Sequence, residues 1–363
     1  MKVNFFSEKL KAKRISVELQ KKLKNILRSG YYTNSNYVKE FEDKYKKFFK
    51  SKYCVAVNNG TSALHLSLLA LNIGKGDEVI VPSLTFVASA AAITYVGAQP
   101  VFADINHNDW LINTNNLEKL INKKTKAIMV VHLHGLMCDM ITIKKIAKKY
   151  KLKIIEDAAQ AHGSTFKNKS PGSYSDVAAF SFYPTKNLGA IGEGGAILTN
   201  NRKIFEKTKR MRAWSHKKNN FYEIGFNFRM TEFTASSLII KLRYLKQDIK
   251  KRIKIANIYK KKLNINTYSS FEKLKNHSYH IFAIRVKNRS NIIKKLKKKG
   301  IQTNIHYPYS LSLIKEFKYK KNKTPIANEI SKELLSLPIY PELNNKKIIF
   351  VSNTLNKIYN GGQ

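Results

Sequence analysis

Phe180–Thr199 reads FSFYPTKNLGAIGEGGAILT, an apolar strand-like run, a single lysine at position 186, four glycines and a second apolar run. Gly189, Gly192, Gly194 and Gly195 allow close backbone approach and positive φ, so the connection is a turn at the least. What distinguishes Lys186 in a chain full of lysines is its place, just past the end of an apolar strand. Working outward, residues 51 to 200 alternate short apolar runs with helix-length segments, the pattern of βα units stacked into a mostly parallel sheet. Strands are expected at Tyr53–Val57, Glu78–Val81, Pro100–Asp104, Ala127–His132, Lys153–Glu156, Val177–Phe182 and Gly195–Thr199. Helices are expected at Ser62–Leu71, Val87–Tyr95, Asn115–Ile121 and Met140–Tyr150, and Thr231–Leu263 is long enough for a connecting helix, whole or broken. A smaller α/β unit follows, with a strand in SYHIFAIRV, a helix at Ser290–Lys298 and a strand in IQTNIHY. The expected division is a large α/β domain over 1–245 and a small one over 246–363.

In open α/β sheets ligands bind beyond the carboxyl ends of the strands. Gly60, Thr61 and Ser62 follow the first strand and open a helix whose free N–H groups suit a phosphate; without a ligand, Thr61 or Ser62 is simply a helix cap. Phe86 stands after the second strand, where an aromatic is either core or a platform for a ring. Asp157 stands just past the fifth strand, with Gln160 and His162 close behind, and a carboxylate there is costly to bury unless it meets a cation or a donor. Ser181 and Lys186 close the sixth. A phosphate site, a flat apolar face, an acid and a lysine together meet the needs of pyridoxal phosphate: donors for the phosphate, a partner for the ring, a carboxylate for the pyridinium nitrogen, an amine for the aldehyde.

Several segments in order carry a resemblance: SGYYTNSNYVKEFEDKY, NNGTSALHLSLLAL, GDEVIVPSLTFVASA, EDAAQAHGS, SFYPTKNLGAIGEGGAILTN, GFNFRMTE, IHYP and LSLPIYPEL. Over Gly30–Leu245, and more loosely to Pro341, the chain resembles the DegT/DnrJ/EryC1/StrS family of pyridoxal-phosphate-dependent nucleotide-sugar aminotransferases. The resemblance implies an aspartate-aminotransferase-like fold (PLP fold type I), with a large mostly parallel sheet domain and a smaller C-terminal α/β domain. It implies that Lys186 binds the cofactor aldehyde, that Asp157 pairs with the pyridinium nitrogen, and that Phe86 stacks on the ring. Gln160 would lie by the 3-hydroxyl, and Thr61, Ser62 and Ser181 would hold the phosphate. Asn227, in GFNFRM, would reach the phosphate of a neighbouring subunit, making a homodimer. The activity implied is transfer of an amino group from an amino acid, glutamate by analogy, to a keto sugar carried on a nucleotide, for surface polysaccharide or glycan synthesis. A branch of the family that dehydrates the sugar has histidine in place of the lysine, so Lys186 favours transamination. The GYYT wording at Gly30–Thr33 is more like enzymes acting at C4 of a 4-keto-6-deoxy sugar than those acting at C3 of a 3-keto sugar. His306 and Tyr307, in IHYP, are expected to close over the sugar, with Tyr307 as a packing aromatic the plainer reading.

Other classes fit less well. The 67 Lys+Arg against 24 Asp+Glu give a formal charge of +43, which on its face invites a nucleic acid or an acidic membrane. Lysine heavily outnumbers arginine, and the lysines fall on helix faces throughout, which reads as a solvated basic surface rather than a specific nucleic-acid site. His132, His134, Asp139 and His162 match no strong metal-ligand spacing, so no metal is expected. Cys54 and Cys138 belong to no CxxC or Cys/His pattern and read as reduced core residues. The N-terminus turns charged too soon for a secretory segment and no run is long enough to span a bilayer, so a soluble cytoplasmic protein is expected. A cofactor-binding sensor or assembly protein without catalysis is the reading from another class, and nothing in the expected site has been lost to favour it.

Overall fold

The computed structural model describes residues 1–217, 220–221, 224–264, 276–317 and 323–360. Two amphipathic helices open the chain, α1 (Glu8–Ser29) and α2 (Asn36–Phe49). In α2 the residues Val38, Phe41, Tyr45 and Phe49 recur at helical spacing and are buried. The backbone N–H groups of Ser35, Tyr37 and Val38, at the start of α2, donate to the Glu232 carboxylate at 2.7, 2.6 and 3.3 Å. A carboxylate there satisfies orphan donors and complements the helix dipole.

The main sheet contains β1 (Tyr53–Val57), β2 (Glu78–Pro82), β3 (Gln99–Ala103), β4 (Thr125–Val131), β5 (Lys153–Asp157), β6 (Val177–Ser181) and β7 (Gly195–Thr199), in the order β1-β7-β6-β5-β4-β2-β3. All seven strands fall where the sequence pattern puts them. β7 alone runs antiparallel, to both β1 and β6. That reversal matters, because its first residue, Gly195, then lies opposite Val57 and Ser181, at the edge where the parallel strands end. The glycine-rich connection from Lys186 is thereby kept at the functional edge.

α3 (Gly60–Ala70), α4 (Val87–Tyr95) and α5 (Met140–Lys149) link the strands, and α6 (Arg202–Met211) follows β7. The expected helix at Asn115–Ile121 is instead two short 3-10 turns, Thr114–Asn116 and Glu118–Leu120. Leu117 is buried in the core and Leu120 and Ile121 pack partly buried against it, a single apolar turn that is too short to hold a full helix. The long connecting helix divides into α7 (Glu232–Leu242) and α8 (Leu245–Lys262). A short ribbon, β8 (His216–Lys217) with β9 (Asn220–Phe221), precedes them.

The smaller unit pairs β10 (Phe282–Arg285) with β11 (Leu334–Leu337), beside α9 (Arg289–Lys298), α10 (Pro325–Glu333) and α11 (Asn345–Asn360). The strand expected in Ile301–Tyr307 does not form. Ile301 and Asn304 make only isolated bridges, to Val3 and Ser336. The partner strand is Leu334–Leu337, which overlaps the start of the LSLPIYPEL segment. Phe180 and Phe182 pack with Phe41 and Tyr45 of α2, with ring centroids 5.2–5.4 Å apart. Strand alternation sends these two rings into the core and turns Ser181 to the other face. Both cysteines are buried and free. Among the described residues, no helix is long and apolar enough to cross a membrane.

Candidate active site

A cavity of about 1010 Å³ opens along the carboxyl edge of the sheet. Lys186, Asp157, Gln160, Thr61, Ser62, Ser181, Phe86, His306 and Tyr307 all line it. The structure thus gathers every expected site residue but Asn227 around one space.

One end of the cavity is built from α3. Its cap is Asn59, whose Oδ1 accepts from Ser62 N–H at 2.8 Å; neither Thr61 nor Ser62 is the cap, which leaves both hydroxyls for the cavity. Gly60 permits this closeness, since a Cβ there would lie 2.7 Å from Ser181 Cβ. Ser181 is consequently held beside the first turn of α3, and hydroxyls and helix N–H groups converge as an anion requires.

Asp157 ends β5 and is only 6% exposed. Ser89 Oγ donates to its Oδ2 at 2.7 Å, and Ala159 N–H donates to Oδ1 at 3.1 Å. Thr85 Oγ1 lies 3.0 Å from Ser89 Oγ, extending the chain of hydroxyls. Burial raises the Asp157 pKa; the Ser89 and Ala159 bonds and the nearby Lys186 ammonium oppose the rise. An acid so placed gains strongly from a cationic ring nitrogen.

Lys186 faces the cavity from a tight loop, its N–H bonded to Tyr183 O at 2.9 Å. Desolvation lowers its pKa to about 8, with Asp157 opposing. A shift from 10.5 to about 8 raises the neutral, nucleophilic fraction at pH 7 by roughly 300-fold.

Gln160 is oriented from both ends: its Oε1 accepts from His134 N–H at 2.7 Å and its Nε2 donates to Tyr307 OH at 3.0 Å. Phe86 is 54% exposed toward the opening, with its ring centroid 5.8 Å from that of Tyr307, and so is not the core residue its apolarity alone would suggest. Tyr307 therefore has a polar partner as well as packing. His306 Nδ1 lies 2.9 Å from Ser336 Oγ. Burial lowers the His306 pKa to about 3, helped by His134 and Lys186, so this histidine is neutral at physiological pH.

Asn227 lies outside the lining. Its Oδ1 accepts from Arg229 Nε and Nη2 at 3.1 and 2.9 Å, on a strand-like segment beside the end of β1. His162 is buried among Tyr45, Phe180 and Phe182, and neither ring nitrogen has a protein partner among the described residues. His132 and His134 diverge: His132 Nε2 bonds Glu156 at 2.7 Å, while His134 stands on a 3-10 turn and meets His306 O at 3.0 Å. The sequence pattern does not single out Phe6 and His280, which line the cavity, or Ser89, which stands behind the lining as a donor to Asp157. Ser89 sits among the small residues of α4, one turn past Phe86, and that position was its one signal.

The donor set fits pyridoxal phosphate: hydroxyls and helix N–H groups for the phosphate, a buried acid held by two donors, and a lysine of lowered pKa. A sequence profile of the DegT/DnrJ/EryC1/StrS aminotransferase family matches residues 13–356. The chain is 42% identical over 349 residues to the dTDP-3-amino-3,6-dideoxy-alpha-D-galactopyranose transaminase of Aneurinibacillus thermoaerophilus, covering 95% of this chain and 96% of that one. It is 36% identical over 337 residues to the GDP-perosamine synthase of Escherichia coli O157:H7, covering 90% and 91%. The crystal structure of S. venezuelae DesV in complex with a ketimine intermediate matches with a TM-score of 0.95 and 32% identity, covering 99% and 98%. The chain belongs to the DegT/DnrJ/EryC1/StrS aminotransferase family, and it is a pyridoxal-phosphate-dependent nucleotide-sugar aminotransferase.

Proposed function

We propose that this enzyme takes nitrogen from L-glutamate and delivers it to the keto carbon of a nucleotide-linked keto-6-deoxy sugar, with Lys186 and Asp157 as its catalytic residues. The observation that carries the reading is the meeting of these two side chains in one cavity, each acting on the other's protonation. When bound, pyridoxal phosphate supplies an electrophilic aldehyde and a ring that accepts the electron pair left behind when a Cα proton departs. Asp157 would hold the proton on the ring nitrogen. With the cofactor in place, Lys186 Nζ would hold its aldehyde and, when the donor amine takes that place, would carry the donor's Cα proton to the cofactor; in the second half-reaction it would carry a proton from the cofactor back to the sugar carbon. Thr61, Ser62 and Ser181 would hold the phosphate, Gln160 would meet the 3-hydroxyl, and Phe86 would pack against the ring. Asn227, absent from its own cavity, would reach the phosphate of a second copy in a homodimer.

For the carbon we favour C3 of a dTDP-linked 3-keto sugar. The 42%-identical relative is named for a 3-amino sugar. Tyr31 and Tyr32 of the Gly30–Thr33 segment, on which C4 rests, are exposed and outside the cavity lining of their own chain. C4 of a 4-keto-6-deoxy sugar is the second reading, favoured by the wording of that segment. Incubation with glutamate and dTDP-, UDP- and GDP-linked 3-keto and 4-keto sugars, followed by NMR location of the amine, decides between them. An amine at C4 alone overturns the C3 assignment; no amine on any sugar, with the cofactor bound, favours the sensor.

A further inference from the structure

Along α7, Thr234, Ser237 and Lys241 follow at helical spacing, and each bonds the segment that leads away from Lys186. Thr234 Oγ1 donates to Glu193 O at 3.3 Å, Ser237 Oγ accepts from Ile191 N–H at 3.3 Å, and Lys241 Nζ donates to Gly189 O at 2.7 Å. The shortest of the three is the one nearest Lys186 in the chain.

Gly189 closes the loop that carries Lys186. A Cβ there would lie 2.0 Å from the Pro184 carbonyl oxygen, so the chain doubles back on itself with no room for a side chain. Ala190 N–H then donates to Phe182 O at 2.7 Å, sealing the neck. The Lys241 ammonium grips this neck from below.

A lysine is an expensive residue for that task. Lys241 is 8% exposed, and among the described residues it has no carboxylate in ion-pair range. Its charged neighbours are already engaged, Lys11 with Glu8 at 2.8 Å and Arg14 with Asp248 at 2.6 Å. Burial lowers the Lys241 pKa to about 8; Lys11 and Arg14 push it the same way, Glu8 and Asp248 the other. The folded pKa thus lies below the unfolded value. The folded state binds fewer protons between about pH 8 and 10.5, stability rises with pH across that window, and below it the buried charge is a standing cost.

We infer that Lys241 is a positioning residue for amino transfer, holding the Gly189 carbonyl so that the Lys186 backbone keeps one place while Nζ alternates between anchoring the aldehyde and moving a proton. This rests on the assignment of Lys186 above. A charge-assisted bond keeps its geometry better than a neutral one, and a displacement of about 1 Å at a catalytic group can slow a reaction by about 100-fold.

The experiment compares the wild-type holoenzyme with Lys241→Met and Lys241→Gln. Borohydride reduction and peptide mass spectrometry first locate the cofactor in the wild type. For Lys241→Met we expect kcat to fall about 10- to 100-fold with KM for glutamate within about twofold, and the pH titration of the cofactor absorbance to shift. Its Tm at pH 7 should equal or exceed that of the wild type, because the buried charge is gone. Lys241→Gln, which keeps a donor, should fall between the two. Unaltered kcat and titration in Lys241→Met, with the adduct on Lys186, rejects the positioning role alone. Parallel loss of kcat and Tm in both variants also rejects it, by assigning Lys241 to packing. An adduct on another lysine overturns the Lys186 assignment and this inference with it.

Discussion

The floor of the cavity and its rim are built by different means. Lys186, Asp157, Ser181, Thr61 and Ser62 stand at the ends of β1, β5 and β6 or in the turns just beyond them. The rim comes from elsewhere: Phe6 from the chain start, and Asn304, His306 and Tyr307 from the smaller unit. Phe5 N–H reaches Gln302 Oε1 at 3.0 Å, and the Phe5 ring stacks on His306 at 5.9 Å. A parallel sheet lines up its carboxyl ends whatever the loops contain, so the floor is set by strand order. The rim exists only because remote segments dock.

The sharpest test of the floor is Lys186→Ala. With no amine to anchor the aldehyde or to move the Cα proton, transamination should be abolished, while fold and noncovalent cofactor binding persist in circular dichroism and equilibrium dialysis. Appreciable turnover in that variant would move the floor to another lysine. Asp157→Asn keeps the shape and removes the charge that holds the pyridinium proton. Both half-reactions should slow by about 1,000-fold or more in stopped-flow absorbance, since electrostatic stabilisation of this kind is commonly the largest single effect. Near-normal rates would show that another acid serves.

One step further from the reacting atoms, Ser89→Ala removes the 2.7 Å bond to Asp157 Oδ2. A hydrogen bond to a charged group contributes about 1.5–3 kcal/mol, so kcat should fall about 10- to 100-fold. The affinity of the apoenzyme for pyridoxal phosphate should fall with it, read by fluorescence titration. Loss of that bond also lets burial raise the Asp157 pKa further, so the acid limb of the pH–rate profile should move to higher pH. An unchanged limb would mean that Ala159 N–H alone holds the carboxylate.

The same division explains what the sequence reveals. All seven strands of the main sheet are legible because each is a short apolar run bounded by turn residues, and the site residues follow because they sit at strand ends. The helix expected at Asn115–Ile121 fails because one apolar turn, Leu117 with Leu120 and Ile121, is too short a buried face to hold a helix. The strand expected in Ile301–Tyr307 fails because its neighbours are Val3 and Ser336, which no local pattern links to it. Ser89 was hidden for a different reason. A serine among alanines in a tightly packed helix is read as spacing, and only the fold turns it toward Asp157. Asn227 is legible only by resemblance, since its own chain gives it Arg229 and no place in the cavity.

The smallest expected effect belongs to the rim, in Tyr307→Phe. The phenol accepts from Gln160 Nε2 at 3.0 Å, and burial first, with Asp157 second, pushes its pKa well above the usual range. Tyr307 therefore stays neutral across the working pH range, and its removal should leave the shape of the pH profile unaltered. What is lost is one neutral hydrogen bond, about 0.5–1.5 kcal/mol, or roughly a 2- to 10-fold change. Because the ring remains against Phe86, the loss should fall on KM for the nucleotide sugar, leaving the glutamate half-reaction within about twofold of the wild type. Steady-state kinetics with each substrate varied in turn separates the two. A fall in kcat of about 100-fold in both half-reactions would place Tyr307 with the floor, because only a group engaged at the reacting atoms produces such a loss without changing substrate affinity. The docking of the smaller unit would then belong to the chemistry itself, and the division between floor and rim would not stand.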